Sequence, residues 1–259
     1  MPIQLSPYKL TMYKNCPKQY FFYNDPNIRN KYKKDQPYFT MGTNVHQALH
    51  DIFALVPSEE RNLEKLSYLL RLIWTKNRKG FKDTDEEARY GNKAIRQLQQ
   101  FAIKDNLKKE PLFIEEMHKI SLDNDQVIFL GKIDRIDELE DGSIHIIDYK
   151  TGKLSDEDPD FDQLYYYGFI ASKKIDHPIS KASYLYLEDY YWIDKEISKS
   201  DIERVEKNII NQAKKIINDK EFTPCPNKFC KNCDYLEICP KKVEAMTFLS
   251  AEKSDPLPF

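Results

Sequence analysis

The sequence has few glycines and no long apolar segment. Seven glycines occur in 259 residues, so we expect no long flexible linkers. No stretch of 18 apolar residues is present, which argues against a transmembrane helix. The N-terminal residues lack the apolar core of a signal peptide, and we therefore expect a cytoplasmic protein with no membrane partner. The G-x-x-x-x-G-K-S/T phosphate loop is also missing, so we expect no helicase motor within these residues.

Charge is unevenly distributed, although the formal net charge is only −2. Residues 1–34 contain seven Lys or Arg and one acid, whereas residues 134–162 contain eleven acids and three bases. Such separation is typical of a protein that attracts phosphate at one place and holds cations at another. Ordinary surface variation would give the same pattern, so charge alone does not decide between them.

The spacing of apolar residues predicts a helical first part and a mixed second part. Ser6 and Pro7 predict one helix start, and Thr43 or Asn44 predicts another. From Pro111 the pattern becomes strand-like, with a hairpin turn in the sequence EDGS. The predicted helices lie at 5–24, within 38–53, and at 59–79, 86–109, 161–174 and 201–219. The predicted strands lie at 113–122, 126–139, 143–152, 181–189 and 190–198.

This order of elements predicts an α/β fold with a core sheet flanked by helices. We expect one domain over residues 1–259. Within it, residues 1–110 form a helical region, residues 111–200 form the core, and residues 201–259 add a helix and a cysteine-rich tail.

The predicted strand IHIIDYKTG carries an acid and a lysine at its end. Asp148 and Lys150 are two residues apart, so their side chains share one face of the strand. The hairpin can bring Asp134 beside Asp148, and two converging carboxylates suit a hard divalent cation. With a lysine nearby, this set suits phosphodiester hydrolysis. The alternative is a surface ion pair between Asp148 and Lys150, with a stability contribution of about 0 to 1 kcal/mol.

Other polar residues are weaker candidates when taken alone. His46 and His50 are four residues apart on one predicted helix, and one of them could reach a metal. Glu115 and its neighbour Glu116 lie in a predicted strand, so only one of them can face the site. Gln163 and Tyr167, also four apart, form one edge of a predicted helix and would otherwise be ordinary core and surface residues.

The five cysteines indicate a metal centre. Cys230 and Cys233 form a C-x2-C pair, and Cys239 follows shortly after. A fourth ligand could be the nearby Cys225 or the distant Cys16. In a cytoplasmic protein we do not expect disulfides. Four thiolates suit either Zn²⁺ or a [4Fe–4S] cluster, and their spacing does not decide between the two.

Six segments in order resemble one known family, the RecB-like branch of the PD-(D/E)XK nuclease superfamily. The sequence is similar to CRISPR-associated RecB-like exonucleases and to the AddB nuclease domain. The matching segments are LSPYKLTMYKNCPKQYFFY, GTNVHQALH, GKIDRID, IIDYKTG, QLYYY and FCKNCDYLEICP. The resemblance implies a restriction-endonuclease-like core sheet and activity with Mg²⁺ or Mn²⁺.

The resemblance also implies roles for individual residues. The implied metal ligands are His46, Asp134, Asp148 and the carbonyl of Tyr149. Lys150 is then the catalytic lysine, Glu115 is the upstream glutamate, and Gln163 and Tyr167 match the Q-L-x-x-Y motif beside the active site. The implied iron–sulfur ligands are Cys16, Cys230, Cys233 and Cys239, with Cys225 as an extra thiol. A cluster of this kind would join the two ends of the chain. The basic segment containing Lys31, Lys33 and Lys34 would face the DNA backbone.

These features predict a metal-dependent DNA exonuclease that acts on single-stranded DNA or free ends. Its role would be in DNA repair, recombination or CRISPR adaptation, with a helicase or CRISPR adaptation proteins as partners. A second hypothesis is a catalytically quiet DNA-binding module of a helicase or integration complex. A third, a zinc-stabilised structural protein, leaves the DYKTG strand unexplained.

Overall fold

The fold is known from a computed structural model that describes residues 2–154 and 159–252. Three acids of the predicted acidic zone, Asp156, Glu157 and Asp158, lie outside the described residues, as does the end of the predicted tail. The chain divides into two compact units. The first unit contains residues 1–34, 122–129 and 209–259, and the second contains residues 35–121 and 130–208.

Helices and strands alternate as in a mixed α/β protein. The helices are α1 (Pro7–Asn15), α2 (Pro17–Asn24), α3 (Pro26–Tyr32), α4 (Pro37–Ala54), α5 (Leu63–Lys76), α6 (Thr84–Lys104), α7 (Asp162–Lys174), α8 (Lys199–Asn218) and α9 (Lys242–Glu252). The strands are β1 (Ile3–Leu5), β2 (Phe113–Leu122), β3 (Val127–Glu138), β4 (Ile144–Lys150), β5 (Ile179–Tyr186) and β6 (Tyr191–Glu196). Short 3-10 turns occur at Ser58–Glu60, Lys228–Asn232 and Leu236–Ile238.

The strands follow the order β1-β3-β4-β5-β6, and β2 also pairs with β3. In the first unit, β1 runs parallel to the first residues of β3. In the second unit, β3 and β4 are antiparallel, β4 and β5 are parallel, and β5 and β6 are antiparallel. The six strands therefore form the mixed sheet expected for a restriction-endonuclease-like core.

The hairpin between β3 and β4 forms at the predicted turn. Gly142 has a φ of +76°, a conformation that glycine adopts without a steric penalty. Asp141 accepts hydrogen bonds from the backbone amide and the hydroxyl of Ser143. Arg135 lies opposite Ile147 in the antiparallel pair, so the next position along the two strands places Asp134 next to Asp148.

Helices α4, α5 and α6 form the main core of the second unit with one face of β4. Ile147 and Tyr149 from that face join a cluster that includes Leu49, Leu66 and Phe101, all of them buried. Burying side chains of this size contributes about 1.5 to 3 kcal/mol each. Helix α7 packs against β4 and β5. The predicted helices that flank the sheet are thus present.

The first unit has its own aromatic core. Tyr20 stacks on Phe222 with ring centroids 6.3 Å apart, and Tyr13 meets both rings edge-on. The hydroxyl of Tyr13 donates a 2.7 Å hydrogen bond to Asp219. These contacts join α1 and α2 to the segment that follows α8.

Two sequence predictions about helix boundaries were wrong. The predicted helix at 5–24 is two helices, because Pro17 has no amide hydrogen and cannot continue α1. Helix α4 begins at Pro37 and not after Thr43 or Asn44, since proline is favoured at the first helical position. The Asn44 side chain instead exchanges hydrogen bonds with Asn77. The Ser6 cap is present, with its hydroxyl accepting from the amide of Lys9.

None of the helices in the described part of the chain has both the length and the apolar character that a membrane span requires.

Candidate active site

Three potential metal ligands converge from three different elements of the second unit. His46 lies on α4, Glu115 on β2 and Asp134 on β3, and their ligand atoms all lie within 4.8 Å of one another. His46 Nδ1 is 3.2 Å from Asp134 Oδ1 and 3.8 Å from Glu115 Oε1. An imidazole with two carboxylates offers the nitrogen and oxygen donors that divalent cations bind.

The environment of these three residues favours an additional positive charge. Burial lowers the pKa of His46, but the carboxylates of Asp134, Asp148 and Glu115 outweigh it and raise the pKa to about 9. Among the described residues, none donates a hydrogen bond to the buried Glu115 Oε1. A buried carboxylate oxygen without a partner is costly. The donor set therefore fits a divalent cation.

Asp148 and Lys150 form the predicted pair at the end of β4. Lys150 Nζ is 2.6 Å from Asp148 Oδ2 and donates a 2.8 Å hydrogen bond to Gln163 Oε1. Lys150 also lies 4.4 Å from the centre of the Tyr184 ring on β5. Three separate contacts thus hold the ammonium group beside the carboxylate.

Helix α7 supplies the second half of this network. The side-chain amide of Gln163 donates to Asp148 Oδ1 at 3.1 Å and to the Tyr167 hydroxyl at 2.7 Å. Burial raises the pKa of Asp148, and Lys150 opposes that change. Burial, followed by the charges of Asp148 and Asp134, holds the pKa of Tyr167 well above its usual range. Tyr167 is therefore a neutral hydrogen-bonding residue at neutral pH.

The structure distinguishes Glu115 from Glu116 by position. Glu115 is half-buried within the ligand group, whereas Glu116 is exposed. The backbone of Glu115 has a φ of +47°, an uncommon conformation for a residue with a side chain. His50 pairs with Asp51 at 2.8 Å and is not part of the ligand group.

Sequence reasoning missed Lys132, which forms an ion pair with Glu115. Lys132 lies two residues before Asp134 on β3, the spacing at which side chains of a strand share a face. The same alternation that identified Asp148 and Lys150 could have identified it. A second lysine therefore lies beside the candidate metal ligands.

These residues line an open cavity of about 580 Å³. Its walls include His46, Glu115, Lys132 and Asp134. Gly42 also lines the cavity, and a Cβ atom at that position would lie 3.1 Å from Thr151 Oγ1. The ligand group therefore lies in a cavity that is open to solvent.

The cysteines of the first unit come together around a second, separate cavity. Cys16, Cys230, Cys233, Cys239 and Cys225 all line it, and none of the five forms a disulfide. Cys16 lies at the junction of α1 and α2, and its sulfur accepts a 3.5 Å hydrogen bond from the amide of Cys225. Burial raises the pKa of the Cys233 thiol to about 11.

The predicted basic run is exposed in the same unit. The side chains of Lys31, Lys33 and Lys34 all face solvent. The amide of Lys34 donates a 3.3 Å hydrogen bond to Asp234, the residue after Cys233. The backbone of the basic run is therefore hydrogen-bonded to the segment that contains the tail cysteines.

One solved structure, "Crystal structure of SSO0001", is 14% identical with a TM-score of 0.45, covering 92% of this chain and 86% of that one. A likeness of this size supports no argument about function. None of the curated proteins matches the chain.

The sequence matches the PD-(D/E)XK nuclease superfamily over residues 4–240. This match covers most of the chain, including the cysteine segment and every candidate site residue described above. Members of this superfamily are metal-dependent nucleases, and the group formed by His46, Glu115 and Asp134 is a site at which a divalent metal could bind. The chain belongs to the PD-(D/E)XK nuclease superfamily.

Proposed function

We propose that this protein is a metal-dependent DNA exonuclease of the RecB-like type. The observation that carries the proposal is that two groups of residues are joined by the hydrogen bond from the Tyr149 amide to Asp134. One group is the ligand set of His46, Glu115 and Asp134. The other is the Asp148–Lys150–Gln163 network. Superfamily membership supports hydrolysis of DNA, and the six ordered segments support the RecB-like assignment.

Each residue has a role in this proposal. His46, Glu115, Asp134, Asp148 and the Tyr149 carbonyl would hold Mg²⁺ or Mn²⁺. A bound divalent cation would supply an activated water and neutralise charge at the phosphorus. Lys150 stabilises the negative charge that develops on the phosphoryl oxygens. Gln163 orients Lys150 and Asp148, and Tyr167 in turn accepts a hydrogen bond from Gln163.

The proposed substrate is DNA that is single-stranded or has free ends. Phosphate contacts dominate the affinity of most DNA-binding proteins, and we assign such contacts to Lys31, Lys33 and Lys34. Resemblance to the AddB nuclease domain and to CRISPR-associated exonucleases suggests a role in DNA repair, recombination or CRISPR adaptation. A helicase or CRISPR adaptation proteins would be the partners.

We also propose a [4Fe–4S] cluster held by Cys16, Cys230, Cys233 and Cys239. The convergence of all five cysteines on one cavity supports a metal centre there, and the resemblance to RecB-like nucleases favours these four as the ligands. Cys225 is exposed and directs its amide toward the Cys16 sulfur, and hydrogen bonds of this kind tune iron–sulfur clusters. Pro224 and Pro226 restrict the backbone on either side of Cys225. Zn²⁺ held by Cys225 and the three tail cysteines is the alternative.

The activity is tested with DNA labelled at one end. Linear single-stranded, linear duplex and circular DNA are incubated with Mg²⁺, Mn²⁺ or EDTA. We expect shortening of the linear substrates with a divalent metal, no reaction in EDTA and intact circles. Cleavage of circles would indicate an endonuclease. Tight binding without cleavage under any metal would favour the catalytically quiet DNA-binding module.

A further inference from the structure

An exposed aromatic pair lies at the start of α4, at the edge of the candidate active site. Tyr38 is 37% exposed and Phe39 is 59% exposed. Their ring centroids are 4.5 Å apart and the ring planes are inclined by 46°. Both residues line the same cavity as the ligand group. A large exposed ring at a substrate cavity suggests contact with the substrate, because exposing apolar surface is unfavourable.

The geometry of α4 places Phe39 on the same side as His46. The two residues are seven positions apart, which is close to two helical turns and about 10.5 Å along the axis. Stacked bases rise 3.4 Å each along one strand, so this distance corresponds to about three nucleotides. Gly42 lies between them and also lines the cavity. Because Gly42 has no side chain, the Thr151 hydroxyl can pack close to α4 at this point.

The charges around the cavity suit a nucleic-acid strand. Lys93 and Lys132 line the same cavity as the aromatic pair. Lys93 also pairs with Glu188 at 2.8 Å. Aromatic rings beside lysines are the usual features of single-strand binding grooves, in which bases stack and phosphates contact cations. An ordinary duplex keeps its bases stacked on one another, so an aromatic platform favours unpaired bases.

We propose that Phe39, with Tyr38 beside it, stacks on an unpaired base of the DNA within about three nucleotides of the scissile phosphate. This inference rests on the proposed nuclease function and specifies how its site recognises DNA. Phe39 is a specificity residue that selects single-stranded or frayed ends. The rigid helix that carries it also carries His46, so binding of the base positions the phosphate at the ligand group.

The test is a double-mutant cycle between the protein and the DNA. Wild type and Phe39→Ala are titrated with a short single-stranded oligonucleotide in EDTA, with fluorescence anisotropy as the readout. The oligonucleotide is either intact or abasic at one of the positions near its end. We expect Phe39→Ala to weaken binding of the intact strand about 5- to 150-fold. When the missing base is the one that stacks on Phe39, the wild type should lose affinity by the same factor. Phe39→Ala should then lose no further affinity.

Two further variants control the experiment. Phe39→Trp should retain the affinity of the wild type for the intact strand. Tyr68→Ala removes a ring of similar exposure, 53% exposed on α5, and should leave binding unchanged. The inference would be overturned if Phe39→Ala bound the intact strand as tightly as wild type. It would also be overturned if both proteins lost affinity equally at every abasic position, and the aromatic pair would then serve another partner.

The failure of this inference differs from failure of the proposed function. Coupling between Phe39 and a base, without cleavage by wild type in Mg²⁺ or Mn²⁺, would refute the nuclease and leave the platform standing. Cleavage without coupling would refute the platform alone.

Discussion

The backbone amide of Tyr149 donates a 2.9 Å hydrogen bond to Asp134 Oδ2. This contact joins the two strands of the hairpin through a side chain and not through a backbone carbonyl. It leaves the other oxygen, Oδ1, facing His46 at 3.2 Å. Because the amide comes from the residue after Asp148, the same bond keeps the two carboxylates of the site at one place.

Lys150→Ala should abolish DNA cleavage, with a loss of at least about 100-fold, because it removes the charge next to the reacting phosphate. Asp148→Ala should abolish cleavage too, and should also weaken Mn²⁺ binding measured by calorimetry. Lys150→Ala should bind Mn²⁺ at least as well as wild type. The matched control is Lys173→Ala, which removes a surface lysine paired with Glu206. Wild-type cleavage rates in both site variants would mean that the site is elsewhere.

Cys16→Ser should remove the colour of the anaerobically purified protein. A thiolate-ligated cluster gives a brown protein with a broad absorbance band near ~400 nm. Loss of a cluster that joins distant segments should also lower the melting temperature. Cys225→Ser is the control and should change neither property. A colourless protein with stoichiometric zinc, for which Cys225 is essential and Cys16 is dispensable, would establish the zinc alternative.

Replacing Lys31, Lys33 and Lys34 with alanine should reduce the salt dependence of DNA binding. Each true phosphate contact contributes about 1 to the slope of log affinity against log salt. Anisotropy titrations of a Lys150→Ala background between low and physiological salt measure this slope. The control replaces three other exposed lysines, Lys76, Lys82 and Lys108. If the slope stays the same in the first variant, the DNA path does not include the basic run.

His145→Gln should reduce the sensitivity of the fold to acid. Burial, and then the charge of Lys181, lowers the pKa of His145 to about 4, against the opposing effect of Asp137 and Asp194. Its Nε2 lies 2.6 Å from the Ser183 hydroxyl, which donates to Asp194. In the unfolded chain the imidazole of His145 takes up a proton near pH 6.5. Above that pH, neutral His145 therefore makes its full contribution to the free energy of unfolding. This contribution to the free energy of unfolding, up to about 3 kcal/mol, is lost as the pH falls toward 4.

The measurement is the melting temperature of both proteins between pH 7.5 and pH 4.5. Wild type should lose more stability on acidification than His145→Gln. The control is His177→Gln, which alters a partly exposed histidine near Glu138. Parallel curves for wild type and His145→Gln would show that His145 is not a source of acid sensitivity.

Local sequence was sufficient to predict the parts of the protein that depend on neighbouring residues. Alternation predicted β4 and placed Asp148 with Lys150, because side chains of a strand alternate with a period of two residues. The turn at Gly142 predicted the hairpin and hence the approach of Asp134 to Asp148. Helices α6, α7 and α8 were predicted within a few residues of their ends, apart from the C-terminal end of α6, since their apolar periodicity is strong.

Helix boundaries near Pro17 and Pro37 were predicted less well. In both cases proline chemistry decided the boundary, although the candidate caps that we chose were polar residues nearby. Asn44 has the side chain of a good cap, but in the structure it serves a contact with Asn77, 33 residues away. A local rule cannot anticipate such a distant partner.

Only the tertiary structure decided which glutamate joins the ligand group and which lysine pairs with it. Glu115 and Glu116 are equivalent in sequence, and the positive φ of Glu115 is a backbone conformation that alternation does not predict. Lys132 acquires its significance from Glu115 on another strand. The approach of Cys16 to Cys225, across 209 residues, likewise depends on the packing of α1 and α2 against Phe222. The reason is that a strand or turn is stabilised by contacts a few residues apart, whereas a binding site is made by side chains that only the packed core brings together.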